Sequence, residues 1–116
     1  MNKVVHHNKW NWGEQFLIVL ESGEGIVSVS LENDSPGEAI IHGLSVIEPE
    51  RRKGLGTKLI AEAESLISGF KKVDLITVYV EPGNDWLLGW YERLGYVAIE
   101  GEDEGGYIQA IKTLAA

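Results

Sequence analysis

Hydrophobic and polar residues change period several times along this chain, and the changes divide it into elements. Phe16 to Leu20 is a short apolar run. Ile26 to Leu31 alternates, with Ser28 and Ser30 set between Val27, Val29 and Leu31. The Gly-containing segment between the two runs predicts an antiparallel hairpin. Asn33-Asp34-Ser35-Pro36-Gly37 is a second turn signal, and Ala39 to Ile47 reads as a third strand. From Leu55 to Phe70 the period becomes helical: Leu55, Leu59, Ala63, Leu66, Ile67 and Phe70 form one stripe, with Lys58, Glu62, Glu64 and Ser65 between them. Gly69 lies near the helix end, and Lys71 and Lys72 follow where cations suit the helix dipole. Val73 to Val80 is nearly all apolar and rich in β-branched residues, as in a parallel strand covered on both faces. Strand, helix and strand together predict a right-handed βαβ unit. Glu81-Pro82-Gly83-Asn84-Asp85 is a turn able to cap a second helix. In that helix Trp86, Leu87, Trp90, Tyr91 and Leu94 make an apolar face before Gly95 ends it. Tyr96 to Ile99 is a short strand, Glu100 to Gly106 an acidic, glycine-rich loop, and Tyr107 to Leu114 the last strand. The predicted order is β-β-β-α-β-α-β-β, an α/β domain on a mixed sheet.

Composition narrows what such a domain binds. A chain of 116 residues makes one domain. A formal charge of −8 gains nothing from displacing counterions, so nucleic acid is not an expected partner. Cationic ligands such as amines, polyamines or basic peptides suit it better. The absence of cysteine excludes a disulfide framework, a thiol nucleophile and a Cys-based zinc site. No apolar run approaches the roughly 18 to 20 residues of a membrane helix. Met1 to Trp12 is polar with scattered aromatics and lacks a signal peptide's apolar segment. The expectation is a cytoplasmic protein without a membrane partner. His6-His7, in what reads as a flexible terminus, carries no metal reading, and no metal is expected.

The chemistry concentrates in Arg51-Arg52-Lys53-Gly54-Leu55-Gly56-Thr57, which joins a predicted strand to a predicted helix. A helix N-terminus presents unpaired N–H groups and a partial positive charge, which favour an anion in front of it. Gly54 and Gly56 remove side chains that would hold a phosphate away, and the flanking cations add fixed charge. The turn lacks the Gly-Lys-Ser/Thr of a nucleoside-triphosphate loop, so ATP is the weaker reading.

These residues resemble the GCN5-related N-acetyltransferase (GNAT) family. Arg51-Arg52-Lys53-Gly54-Leu55-Gly56 matches that family's Gln/Arg-x-x-Gly-x-Gly/Ala cofactor loop. Downstream, Asn84 is followed at family spacing by Tyr91-Glu92-Arg93-Leu94-Gly95-Tyr96, which matches its second signature. The resemblance spans about Phe16 to Leu114. It implies a single GNAT-like domain over residues 1–116, with a mixed, mostly antiparallel sheet and two main helices. It also implies acetyl-CoA as cosubstrate and transfer of the acetyl group to a primary amine. By the same resemblance Arg51, Arg52, Lys53, Gly54, Leu55, Gly56 and Thr57 lie at the cofactor's pyrophosphate. Leu44, Ser45 and Val46 pair through their backbone with its pantetheine arm, and Asn84 bonds that arm. The strand before the loop and Val73–Val80 should splay apart where the thioester sits. Tyr91 is the expected general acid toward the departing thiolate, since a phenol of pKa about 10 suits a thiolate of comparable basicity. The family's usual carboxylate position in the strand before the loop holds Ile40. Glu38, His42 and Glu48 are the nearby alternatives for the base, and His42 has a suitable intrinsic pKa.

The N-terminus departs from the family. Residues 1–15 are too few for the usual first strand and two helices, and they read as a short segment in their place. Either the acceptor site is open, or a second copy of the chain closes it as a homodimer. Trp10 and Trp12 are candidates to cover the sheet surface left bare. The acidic stretch Glu100 to Glu104 reads as a solvated loop, with attraction of a cationic acceptor as the sharper alternative. Trp86 and Trp90 read as packing residues. A non-catalytic CoA-binding or protein-interaction module on the same fold is the rival to an enzyme.

Overall fold

The computed structural model describes residues 3–20, 23–46, 54–102 and 106–114. The strands are β1 (Lys3–Trp10), β2 (Gly13–Leu20), β3 (Gly25–Glu32), β4 (Glu38–Val46), β5 (Leu75–Val80), β6 (Val97–Glu102) and β7 (Ile108–Thr113). The helices are α1 (Leu55–Ser68) and α2 (Asp85–Arg93). The strands form one seven-stranded sheet in the order β1-β2-β3-β4-β5-β7-β6. Only β4 and β5 are parallel, joined by the α1 crossover; the other neighbours are antiparallel. From β2 onward the element order is the one the hydrophobic pattern predicts, on the mixed, mostly antiparallel sheet expected.

The N-terminal segment is the main correction. Residues 3–10 are not a loose terminus but an eight-residue edge strand, paired in register with β2 from Lys3↔Leu20 to Trp10↔Gly13. All eight residues are exposed. Backbone pairing rather than burial holds the strand, so no period-two pattern marks it. Lys3 and Lys9 give it the charged side chains that protect a sheet edge from further pairing. Smaller differences lie at element ends. β5 starts at Leu75 rather than Val73, and β6 runs to Glu102, into the acidic stretch that reads as loop.

Alternation assigns the two faces of the sheet. Ile18 and Leu20 of β2, Val27 and Val29 of β3, Ala39 and Ile41 of β4, and Ile76, Val78 and Val80 of β5 are buried together with Leu59, Ile60, Ala63 and Ile67 of α1. Gly25 lets α1 come close: a Cβ there would lie 2.7 Å from Leu59 Cδ1. Helix α2 joins the same side through Trp90, which packs over Gly56 of α1, and Tyr91. Tyr96, just beyond α2, donates to Glu64 Oε2 of α1 at 2.9 Å, and Lys112 of β7 reaches the same oxygen at 3.0 Å. Lys112 also donates to the Leu94 carbonyl at 3.0 Å. Both helices therefore lie on one face, tied together at this cluster.

The other face carries Ile26, Ser28 and Ser30 of β3, Ile40 and His42 of β4, and Thr77 and Tyr79 of β5. No helix among the described residues covers it. Nor is any described helix long and apolar enough to cross a membrane.

Candidate active site

The sheet opens between its two parallel strands. β4 and β5 pair only at Glu38↔Leu75, Ala39↔Ile76 and Ile40↔Thr77. Beyond Ile40, β4 follows β3 instead, while β5 stays with β7 up to Val80↔Ile108. The divergence has a local cause. Between Ile26↔Ser45 and Ser28↔His42, two residues of β3 advance against three of β4, which is a β-bulge. Gly43 within it has φ +64°, a left-handed conformation that glycine adopts without strain. A bulge bends its strand and increases the local twist, and here it turns β4 away from β5. The splay expected where the thioester lies is present.

A groove of about 400 Å³ lies on the helix side of this opening, lined by Leu44, Val46, Gly54, Gly56, Thr57, Trp86, Leu87 and Trp90. Gly54 caps α1 with φ 79°, and no side chain caps the helix there. Among the described residues, the Lys58 N–H donates to the Gly54 carbonyl at 3.1 Å. The amides of Leu55, Gly56 and Thr57 precede it and so have no intrahelical acceptor. A Cβ at Gly56 would sit in van der Waals contact with the Trp90 ring, 3.4 Å from Cζ2. Of the residues expected at the cofactor, the structure gathers Leu44, Val46, Gly54, Gly56 and Thr57 in one groove. Ser45 and Asn84 are exposed and do not line it. Arg51, Arg52 and Lys53, with Ile47 and Glu48, lie outside the described residues.

Asn84 caps α2: its Oδ1 accepts from the Leu87 amide at 3.2 Å. Tyr91 is 5% exposed and packs edge-on against Trp90 and Tyr96, at centroid distances of 5.0 and 5.5 Å. Burial raises its phenol from 10 to about 12. Among the described residues none hydrogen-bonds this hydroxyl, yet no buried side-chain oxygen or nitrogen is left unpartnered. The hydroxyl therefore keeps contact with solvent. Tyr96 beside it is shifted further, by its own burial and then by the Glu64 carboxylate that its hydroxyl binds.

A second cavity, of about 480 Å³, lies on the open face of the sheet, lined by Trp12, Ser30, Glu32, Ile40, His42 and Tyr79. His42 sits just past the last β4–β5 pair, and its Nε2 is 2.6 Å from Ser30 Oγ. Partial burial holds its pKa below 6.5, with the negative charge of Glu32 opposing the shift. Of the alternative bases, Glu38 is engaged elsewhere: its carboxylate accepts from Thr77 Oγ1 at 2.5 Å, within the closed part of the sheet.

Several lining residues carry no sequence signal for a site. Trp86 reads as a packing residue but is 72% exposed at the mouth of the groove. Trp90 does pack, against Tyr91 and Gly56. Trp12 covers part of the open face, as expected, while Trp10 stacks on it at 5.2 Å. Glu32, Ser30 and Tyr79 meet His42 only through strand register, which pairs residues far apart in the chain.

Comparison with solved structures finds the same fold at low identity. The chain is similar to an IAA acetyltransferase from Bacillus cereus, with TM-score 0.71 and 16% identity over 97% of this chain and 100% of that one. An acetyltransferase of the GNAT family from Staphylococcus aureus gives TM-score 0.71 and 14% identity, over 93% of this chain and 72% of the other. The PaiA N-acetyltransferase from Thermoplasma acidophilum, in complex with coenzyme A, gives TM-score 0.69 and 18% identity, over 86% of this chain and 60% of that protein. Among curated proteins no sequence matches significantly. The acetyltransferase (GNAT) family model matches residues 3–96, taking in β1, the opened β4–β5 pair, α1 and α2. The chain belongs to that family.

Proposed function

We propose that the protein transfers the acetyl group of acetyl-CoA to a primary amine, which reaches the thioester from the open face of the sheet. Acetyl-CoA is the cosubstrate. The observation that carries the reading is the gap between β4 and β5, with a groove on one side and the His42 cavity on the other. Past Ile40 and Thr77 the facing strands make no ladder with each other, so the gap has room for a strand-like partner. The amide-containing pantetheine arm supplies one, as an added strand does at a sheet edge. The amides of Leu55, Gly56 and Thr57 that open α1 suit the pyrophosphate.

In the proposed reaction the neutral imidazole of His42, held by Ser30, takes a proton from the acceptor ammonium. The amine attacks the carbonyl, and a backbone N–H at the opening steadies the oxyanion. As the intermediate collapses the nitrogen releases its remaining extra proton to water, the C–S bond breaks, and the thiolate leaves with a hydrogen bond from Tyr91. No covalent enzyme intermediate is required. The proposed setting is the cytoplasm.

Calorimetry with acetyl-CoA, followed by thiol release with a panel of primary amines, tests the reading. Absence of acetyl-CoA binding at high micromolar concentration ends it. Binding without turnover on any amine or peptide favours the non-catalytic module instead.

A further inference from the structure

The cavity on the open face combines groups that one ammonium does not need. Glu32, Trp12 and Tyr79 line it together with His42. Among the described residues no side chain pairs with the Glu32 carboxylate. Trp12 is held in place: Asn33 N–H donates to its carbonyl at 2.8 Å, and Asn33 Nδ2 donates to the Asn11 carbonyl at 2.7 Å. The β1–β2 turn is thereby tied to the turn after β3. Gly13 then brings the chain so close to β3 that a Cβ there would lie 1.9 Å from the Leu31 carbonyl oxygen.

A carboxylate beside the reacting nitrogen would stabilise its ammonium form and suppress attack. A carboxylate set apart from it can hold a different cation. Ser30, which holds His42, and Glu32 are two residues apart on the same face of β3, about 7 Å along the strand. That spacing fits a short alkyl diamine. One nitrogen lies at His42 and loses its proton, while the second stays charged between Glu32 and the rings of Trp12 and Tyr79. Aromatic faces and a carboxylate together favour an ammonium over a neutral group.

We propose that the acceptor is a diamine or a longer polyamine whose non-reacting ammonium is held by Glu32, Trp12 and Tyr79. The proposal rests on the amine-acetylation reading, and binding tests it separately from turnover. The CoA-saturated protein is titrated by calorimetry with 1,4-diaminobutane and with butylamine. The same two amines are compared as acetyl acceptors by kcat/KM. Wild type should favour the diamine about tenfold in both measurements, the worth of one ion pair with a cation–π contact at a partly exposed site. Glu32→Gln should bring both ratios close to one. Asp34→Asn, which removes an equal charge from the adjacent exposed turn, should leave them near the wild-type value. Transfer to both amines with no diamine preference, or a preference that survives Glu32→Gln, overturns the proposal. Equal loss in Asp34→Asn overturns it too, because long-range field rather than the cavity would then be the cause. Glu32-dependent diamine binding without transfer supports the cavity assignment and overturns the transferase reading.

Discussion

Replacing Tyr91 by phenylalanine removes a single oxygen from the position assigned to the thiolate. The ring sits between Trp90 and Tyr96, and no described residue hydrogen-bonds its hydroxyl. The substitution orphans no partner and empties little space, so stability should change by less than about 1 kcal/mol. Catalysis should respond more. Burial raises the phenol from 10 to about 12, about 3 kcal/mol against the phenolate. A thiol in water ionises near pH 8.5, so complete proton transfer from this phenol to a solvated thiolate runs uphill by roughly 5 kcal/mol. The even match expected of an unperturbed phenol is therefore lost. What Tyr91 supplies as the C–S bond breaks is a charge-assisted hydrogen bond, worth about 1.5 to 3 kcal/mol. Its removal should slow the chemical step by about tenfold to 150-fold. The assay is thiol release at saturating acetyl-CoA and amine, with the acetyl-CoA Kd measured in parallel. The expected result is a kcat reduced within that range and a Kd within about twofold of wild type. A Tyr91→Phe variant with kcat within about twofold of wild type refutes the assignment.

Two other predictions concern the open face. His42 is neutral where it accepts a proton and its pKa lies below 6.5, so kcat at saturating amine should hold through neutrality and fall only as pH drops below that value. His42→Gln should erase this acid limb and lower kcat by about 100-fold; an unchanged limb would exclude His42 as its source. Stability follows the same sign, because the unfolded chain takes up the proton first: the His42 contribution is complete above pH 6.5 and is lost as pH falls toward the folded value. Urea midpoints measured across this window should decline in wild type and stay flatter in His42→Gln. Gly13→Ala forces a Cβ against the Leu31 carbonyl and should cost about 2 to 3 kcal/mol in chemical denaturation. A loss below about 0.5 kcal/mol would mean that the β1–β2 turn is not anchored as described.

What the sequence makes legible is set by where burial does the work. β3 shows because Val27 and Val29 are buried against α1 while serines point the other way, and α1 shows because Leu59, Ala63 and Ile67 share a buried stripe. β1 leaves no such trace, since backbone bonds to β2 hold eight exposed residues. The groove is half legible. Gly54 stands out because its left-handed φ favours glycine, whereas Trp86 looks like core and is solvent-exposed. The His42 cavity is the least legible, because its lining comes from β3, β4, β5 and the β1–β2 turn. The bulge that aligns those strands is marked in the sequence only by Gly43.

That bulge links the two halves of the proposed mechanism. Had β4 stayed in register with β3, nothing would have prevented its ladder with β5 from continuing past Ile40, and the sheet would have closed. The space beside Leu44 to Val46 would then have been filled by β5, with no room for a ligand. One extra residue at the bulge turns β4 aside, and two consequences follow from the same displacement. The strand edges facing the gap lose each other as partners, and a passage opens from the helix face to the face that carries His42. An amide-bearing ligand lying between them would supply ladder bonds that the two strands do not make to each other. Cofactor binding and access of the acceptor to the thioester thus depend on one distortion. A substitution that straightened β4 at Gly43 would weaken acetyl-CoA binding and acceptor access together.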